Sequence, residues 1–225
     1  APSESVMQMM LARGVTSPIN VVPTGIYAEK FTRGSGKNLR KELGVPLEAF
    51  VIGHLGRLAP EKNLEFVAQS VAQFLKRNPD AHFLVGGKGP SEESLQQILH
   101  QSGVGDRLHL AGILKGKDLI DAYHAMNVFV FASQSETQGL VLTEAMAAGV
   151  PVIAVDAPGV REVVRDGING RLLTEQNIED FVGAIEWLKK QPADKLKKIK
   201  SSCQETAEHF SMKNSTEKAL KMYFS

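Results

Sequence analysis

Apolar residues along the chain alternate between two rhythms. Short, mainly apolar runs at 50–55, 81–85, 107–110, 128–131, 152–155 and 171–173, interrupted by His54, His82, Arg107, His109 and Arg171, read as strands covered on both faces. Between them the period lengthens to that of a helix. Leu64, Val67, Val71, Phe74 and Leu75 share one face of a helix at 63–77, and Leu95, Ile98 and Leu99 mark a second. Further helices are predicted at 118–126, 140–148 and 178–190, with a short one around Glu162. Gly149 and Pro151 end the 140–148 helix. Strict alternation of strand and helix predicts an α/β fold of Rossmann-like design, a parallel sheet of about six strands with helices on both faces.

The flanks follow a different pattern. Ser3 is placed to cap a Met-rich helix at 4–13, whose Met7, Met10 and Leu11 share a face that needs a partner. Residues 19–22 read as a short strand before the turn Pro23-Thr24-Gly25, residues 33–37 as a mobile loop, and residues 39–43 as a small helix closed by Gly44. From Pro192 onward the pattern is helical only, and the last helix, at 216–224, ends in Tyr223 and Phe224.

In open parallel sheets the ligand crevice lies at the carboxyl ends of the strands. Arg57, the glycine loop at 86–89, Gly112, the turn at 133–139 and the segment 156–158 all follow predicted strands directly, so the fold brings them to one rim. The turn at 133–139 leads into a helix whose free N–H groups and positive dipole end suit an anion. Glu136 lies on that turn, and Glu144 lies more than one helical turn into the helix. The junction thus suits an anion flanked by hydroxyl-bearing groups, which describes a sugar nucleotide.

Composition narrows the partners. At 225 residues with 43% apolar content the chain can bury a core, and a net charge of +1 offers no bulk attraction for nucleic acid. Lys195, Lys197, Lys198 and Lys200 form a basic cluster, read first as a solvated face and second as a peripheral contact with an acidic inner-membrane surface. One cysteine, Cys203, suits a reducing cytoplasm. No apolar run reaches the ~18 residues of a membrane span. A chain that starts at Ala1 is expected to be a piece of something longer.

An ordered set of motifs now carries a resemblance. Glu136-x7-Glu144 encloses Gly139-Leu140 and runs on as Glu-Ala-Met-Ala-Ala-Gly-Val-Pro-Val. Gly56-Arg57-Leu58 and Glu61-Lys62-Asn63 precede it, and Pro158-Gly159-Val160-Arg161-Glu162 and Asp166-Gly167-x-x-Gly170 follow. Over roughly residues 18–175 the set resembles the large retaining glycosyltransferase family of GT-B type, in its carboxy-terminal donor-binding half.

The resemblance implies transfer of a sugar from a UDP- or GDP-linked donor to an acceptor held by an amino-terminal domain, without a cofactor or metal. It gives Arg57 and Lys62 the diphosphate and Glu144 the two ribose hydroxyls. Glu136 would contact hydroxyls of the donor sugar, with the backbone amides of Gln138, Gly139 and Leu140 around sugar and phosphate. Gly87 and Gly112 would approach the nucleotide closely. Glu136, Arg57 and Lys62 would thus carry the chemistry. Many members have Phe where this chain has Gln138, and Tyr27 replaces an acid usual after Thr24-Gly25.

Residues 1–17 would be a linker helix, 18–210 the nucleotide-sugar domain, and 211–225 a helix packing toward the other domain. By itself such a chain would bind donor and transfer nothing, its terminal helices loosely held.

Other chemistries fit less well. The run Gly86-Gly87-Lys88-Gly89-Pro90 has Glu92 where a dinucleotide fingerprint needs its third glycine. There is no Asp-x-Asp pair to bridge a metal to a diphosphate, and the six histidines show no ligand spacing. A regulatory nucleotide-binding module and an epimerase of the same architecture remain the two alternative functions.

Overall fold

The computed structural model describes residues 1–224. In chain order the strands are β1 (Phe50–Leu55), β2 (Ala81–Gly86), β3 (Leu108–Gly112), β4 (Val128–Phe131), β5 (Val152–Val155) and β6 (Gly170–Leu173). All pairings are parallel, in the order β3-β2-β1-β4-β5-β6. β1 and β4 thus lie side by side, with Ile52 opposite Val128, although a long stretch of chain separates them. This is the switch point from which the sheet grows outward in both directions, and a crevice opens there.

Helices cover both faces. The first three are α1 (Glu4–Ala12), α2 (Ala28–Phe31) and α3 (Gly36–Glu42). They are followed by α4 (Leu64–Arg77), α5 (Glu92–Gln101), α6 (Gly116–His124) and α7 (Leu140–Ala147), then α8 (Ile178–Lys189), α9 (Ala193–His209) and α10 (Met212–Phe224). In one layer α4 packs on α5 and α8; in the other α6 meets α3, and α7 meets α2 and α9. Strands β1, β4 and β5 are almost wholly buried, which is why they read as near-continuous apolar runs without alternation, broken only by His54 in β1. Among the described residues no helix is long and apolar enough to cross a membrane.

The flanks depart from expectation in four places. Residues 19–22 form no strand: a strand needs a neighbouring edge, and the backbone there meets only Ala1, with Val22 N–H donating to Ala1 O at 2.9 Å and Asn20 O accepting from the Ala1 amino group at 2.6 Å. The residues around Glu162 form consecutive turns instead of a helix. Part of the expected loop at 33–37 joins α3, which starts at Gly36, and the last helix starts at Met212, earlier than its apolar pattern.

The start of the chain is pinned to the rim. Ser3 caps α1 by accepting from Val6 N–H, and the Glu162 carboxylate accepts from the amides of Glu4 and Ser5 at 3.0 and 2.8 Å. The far end is open, with Leu220, Tyr223 and Phe224 exposed along α10.

Candidate functional site

The crevice at the β1–β4 junction has two lobes, of about 510 and 740 Å³. They share Leu55, Gly56 and Arg57 from the end of β1 and Leu140 and Val141 from the start of α7. The shared residues make the two lobes parts of one groove, and Arg57 stands at the divide.

The smaller lobe is largely apolar. Ile113, Leu114 and Leu119 wall it, and Glu144 supplies its acid. Glu144 is tethered from behind, because the hydroxyl of Tyr123, a fully buried residue of α6, donates to Glu144 Oε2 at 2.7 Å. Burial holds the Glu144 carboxyl above its ordinary range, with the Tyr123 hydrogen bond pulling the other way. Gly87 forms the opposite edge. Its φ is +132°, and a Cβ there would stand 1.8 Å from Gly56 O, so the crossing of the two loops admits no side chain. Gly112 lies behind this edge and not in the lining: its carbonyl accepts from Gly87 N–H at 2.6 Å. A Cβ on Gly112 would meet open space, and the residues after it, Ile113 and Leu114, supply the wall.

The larger lobe holds the charged groups. Lys62 comes from a short turn of 3-10 helix, Pro60–Lys62, and Ser133 Oγ ties the loop after β4 to that turn by donating to Glu61 O at 3.1 Å. Lys62 Nζ lies 3.4 Å from Glu136 Oε2, a loose pairing between two largely buried side chains. Arg57 pairs with Glu61 and is 71% exposed, so its guanidinium is free to turn toward a ligand.

Glu136 caps its own loop. Its Oε1 accepts from the amides of Thr137, Gln138 and Gly139 at 3.2, 3.4 and 3.1 Å. Gly139, at φ +68°, then turns the chain into α7. The amides of Gln138 and Gly139, expected around sugar and phosphate, are thus engaged by Glu136. Those of Leu140 and Val141 have no acceptor among the described residues, so the free donors of the α7 N-terminus lie one residue later than expected. The Gln138 side chain turns away as well, donating to Pro2 O at 3.2 Å.

The structure therefore gathers Arg57, Lys62, Gly87, Gln138, Leu140, Glu136 and Glu144 about one groove, with Gly139 as the pivot of its loop. Sequence reasoning missed Tyr123, which reads by period as a plain core position. It also missed the apolar wall of Ile113, Leu114 and Leu119, and Glu162 as the anchor of α1. His54, set aside as a strand residue, lines the larger lobe.

Comparison with known proteins agrees with this geometry. Residues 36–208 match the family model for glycosyl transferases group 1. The chain is 30% identical to a D-inositol 3-phosphate glycosyltransferase of Mycobacterium marinum over 98% of its own length and 48% of that protein. It is 33% identical to the Arabidopsis thaliana sulfoquinovosyl transferase SQD2 over 83% of its length and 36% of that protein. The chain thus spans about half or less of the curated relatives it matches. Among solved structures, HepE of Anabaena in complex with UDP-glucose superposes with a TM-score of 0.86 at 25% identity, covering 100% of this chain and 63% of HepE.

Proposed function

Because the chain belongs to the group 1 glycosyl transferases, we propose that it binds a nucleotide diphosphate sugar and supports transfer of that sugar to an acceptor with retention of anomeric configuration. The two-lobed groove divided by Arg57 carries the reading. An apolar lobe with one tethered carboxylate suits a base and ribose, and an adjoining lobe with paired charges suits a diphosphate and sugar.

Each residue then has a task. Glu144 has two acceptor oxygens for the two ribose hydroxyls, and Tyr123 fixes their direction. Arg57 turns from Glu61, and Lys62 from Glu136, to balance the charge that grows on the diphosphate as it departs. The free amides at the start of α7 point a helix dipole at the same charge. These donors do the electrostatic work without a metal ion. Glu136, released from Lys62, keeps an oxygen for hydroxyls of the donor sugar; we assign it to positioning the donor and not to nucleophilic attack.

The acceptor is assigned to parts of the protein beyond this half, in keeping with the share of the relatives that the chain spans. UDP is the first nucleotide to try, since HepE, similar in fold and sequence, was solved in complex with UDP-glucose. The test is release of free nucleotide by the whole protein with UDP- and GDP-sugars, with the product's anomeric configuration read by NMR. Nucleotide release without a glycosylated product, or a product of inverted configuration, contradicts the proposal.

A further inference from the structure

His54 stands near the end of β1, on the floor of the lobe that holds Lys62 and Glu136. It is completely buried beside the rings of Phe129 and Phe131 on the neighbouring strand, whose centroids lie 5.9 and 6.3 Å from its own. Its Nδ1 lies 3.1 Å from the carbonyl of Val130. A carbonyl only accepts, so Nδ1 carries the proton and Nε2 is left as a bare acceptor. Burial, with a smaller push from Lys62, lowers the imidazole to about 4, so the ring is neutral near pH 7 and the tautomer stands.

Nε2 has no hydrogen-bond partner, which among the buried side-chain polar atoms of the described residues is true otherwise only of Ser215 Oγ. Leaving a buried acceptor unsatisfied is costly, and a native structure that keeps one at the floor of a ligand groove calls for a partner that arrives later. Nε2 is directed toward the rim, since a Cβ on Gly56 would come within 3.8 Å of it, and Gly56 has no side chain to cover it.

The chemistry of an acceptor-only nitrogen selects the partner. Phosphate oxygens also only accept, so the diphosphate is excluded; with base and ribose assigned to the lobe of Glu144, the hydroxyls of the donor sugar are the donor groups that reach the lobe of His54. We propose that His54 Nε2 accepts a hydrogen bond from a hydroxyl of the donor sugar and so helps decide which sugar is taken. Nε2 is closed to solvent here, and Lys62, the cation whose charge bears on the ring, lines the same lobe. Lys62 Nζ lies over the ring of Phe131, 5.7 Å from its centroid and beside His54, so its shift from Glu136 toward a diphosphate would open the approach to Nε2. The inference rests on the donor-site reading above.

Calorimetry on the protein and on His54→Phe, which keeps the ring and removes the acceptor, separates the two. The probes are UDP, UDP-glucose and a series of UDP-deoxyglucoses, run beside GDP and GDP-mannose. His54→Phe should bind the nucleoside diphosphate as the parent does and the nucleotide sugar about tenfold more weakly, the scale of one hydrogen bond. The parent should lose the same factor with one deoxy analogue, to which His54→Phe is indifferent, and His54→Gln, which places an oxygen near Nε2, should recover part of it. Retained diphosphate binding shows that the variant is folded. Equal weakening of diphosphate and nucleotide sugar, or no weakening of either, overturns the role of His54 and leaves the donor site standing. Failure of the parent protein to bind any probe overturns the donor site and this inference together.

Discussion

Tyr123 donates its buried hydroxyl to Glu144 Oε2 at 2.7 Å, so the carboxylate that faces the groove is held by a residue of the core. One element, α6, thereby sets the direction of an acid carried by another, α7. The bond leaves fewer lone pairs for a ligand but aims the remaining ones, which is how a site avoids the entropy of ordering a side chain at each binding event. Tyr123→Phe should cost about 1 kcal/mol of stability and weaken nucleotide binding about fivefold, by loss of that aim. Denaturant unfolding and calorimetry on the same variant measure both; full affinity in a folded Tyr123→Phe would show that Glu144 needs no tether.

Glu144 gives the protein a stability that depends on pH. Its carboxyl is raised above the ordinary value of 4.5 by burial, so the native state holds this proton more tightly than the unfolded chain does. Its favourable contribution is therefore present below the unfolded value and is lost as pH rises through the native one. Glu144→Gln, which keeps the shape and abolishes the charge, should gain stability relative to the parent between pH 4 and pH 7. Its preference for UDP over deoxy-UDP should fall at the same time. A stability difference that is flat across this range would mean that the carboxylate is solvated in the native state.

Arg57 should separate binding from stability. Its partner Glu61 is near the surface and the guanidinium is 71% exposed, so the ion pair is worth little to the fold. Arg57→Ala should leave the melting temperature unchanged while weakening diphosphate binding by about 1.5–3 kcal/mol, the scale of a hydrogen bond to a charged group. Unchanged affinity would remove Arg57 from the site.

Gly87→Ala should act through the backbone. The residue's φ of +132° is strained for any side chain, and the new Cβ would collide with Gly56 O. The conformation alone costs about 1–3 kcal/mol, and relief of the collision must move the rim that carries Arg57. Thermal unfolding should drop and nucleotide affinity with it; a variant as stable as the parent would mean that the two loops separate freely.

Nucleotide binding should be the same with and without a chelator, because two cationic side chains and the start of α7 supply the positive charge. Titration of UDP in EDTA and in magnesium checks this. Binding that appears only with magnesium would contradict the site as drawn.

The elements were legible in the sequence because their signals are local. A strand buried on both faces must be apolar throughout, as Val128 to Phe131 are, and an amphipathic helix must repeat as Leu64, Val67 and Val71 do. The spacing from Glu136 to Glu144 put one acid on the loop and one in the helix for the same reason. Strand ends could be assigned to one rim because parallel crossovers leave little choice of topology.

What the tertiary structure decided is which groups meet. Only the adjacency of β1 and β4 brings Lys62 within reach of Glu136 and places Arg57 between the two lobes. Residues 19–22 have the composition of a strand and form none, since pairing belongs to the neighbour as much as to the segment. Tyr123 and His54 read as core residues, and core residues they are. Their roles come from single polar atoms, one hydroxyl satisfied by Glu144 and one nitrogen left bare, and no periodicity along a chain records where a polar atom finds its partner.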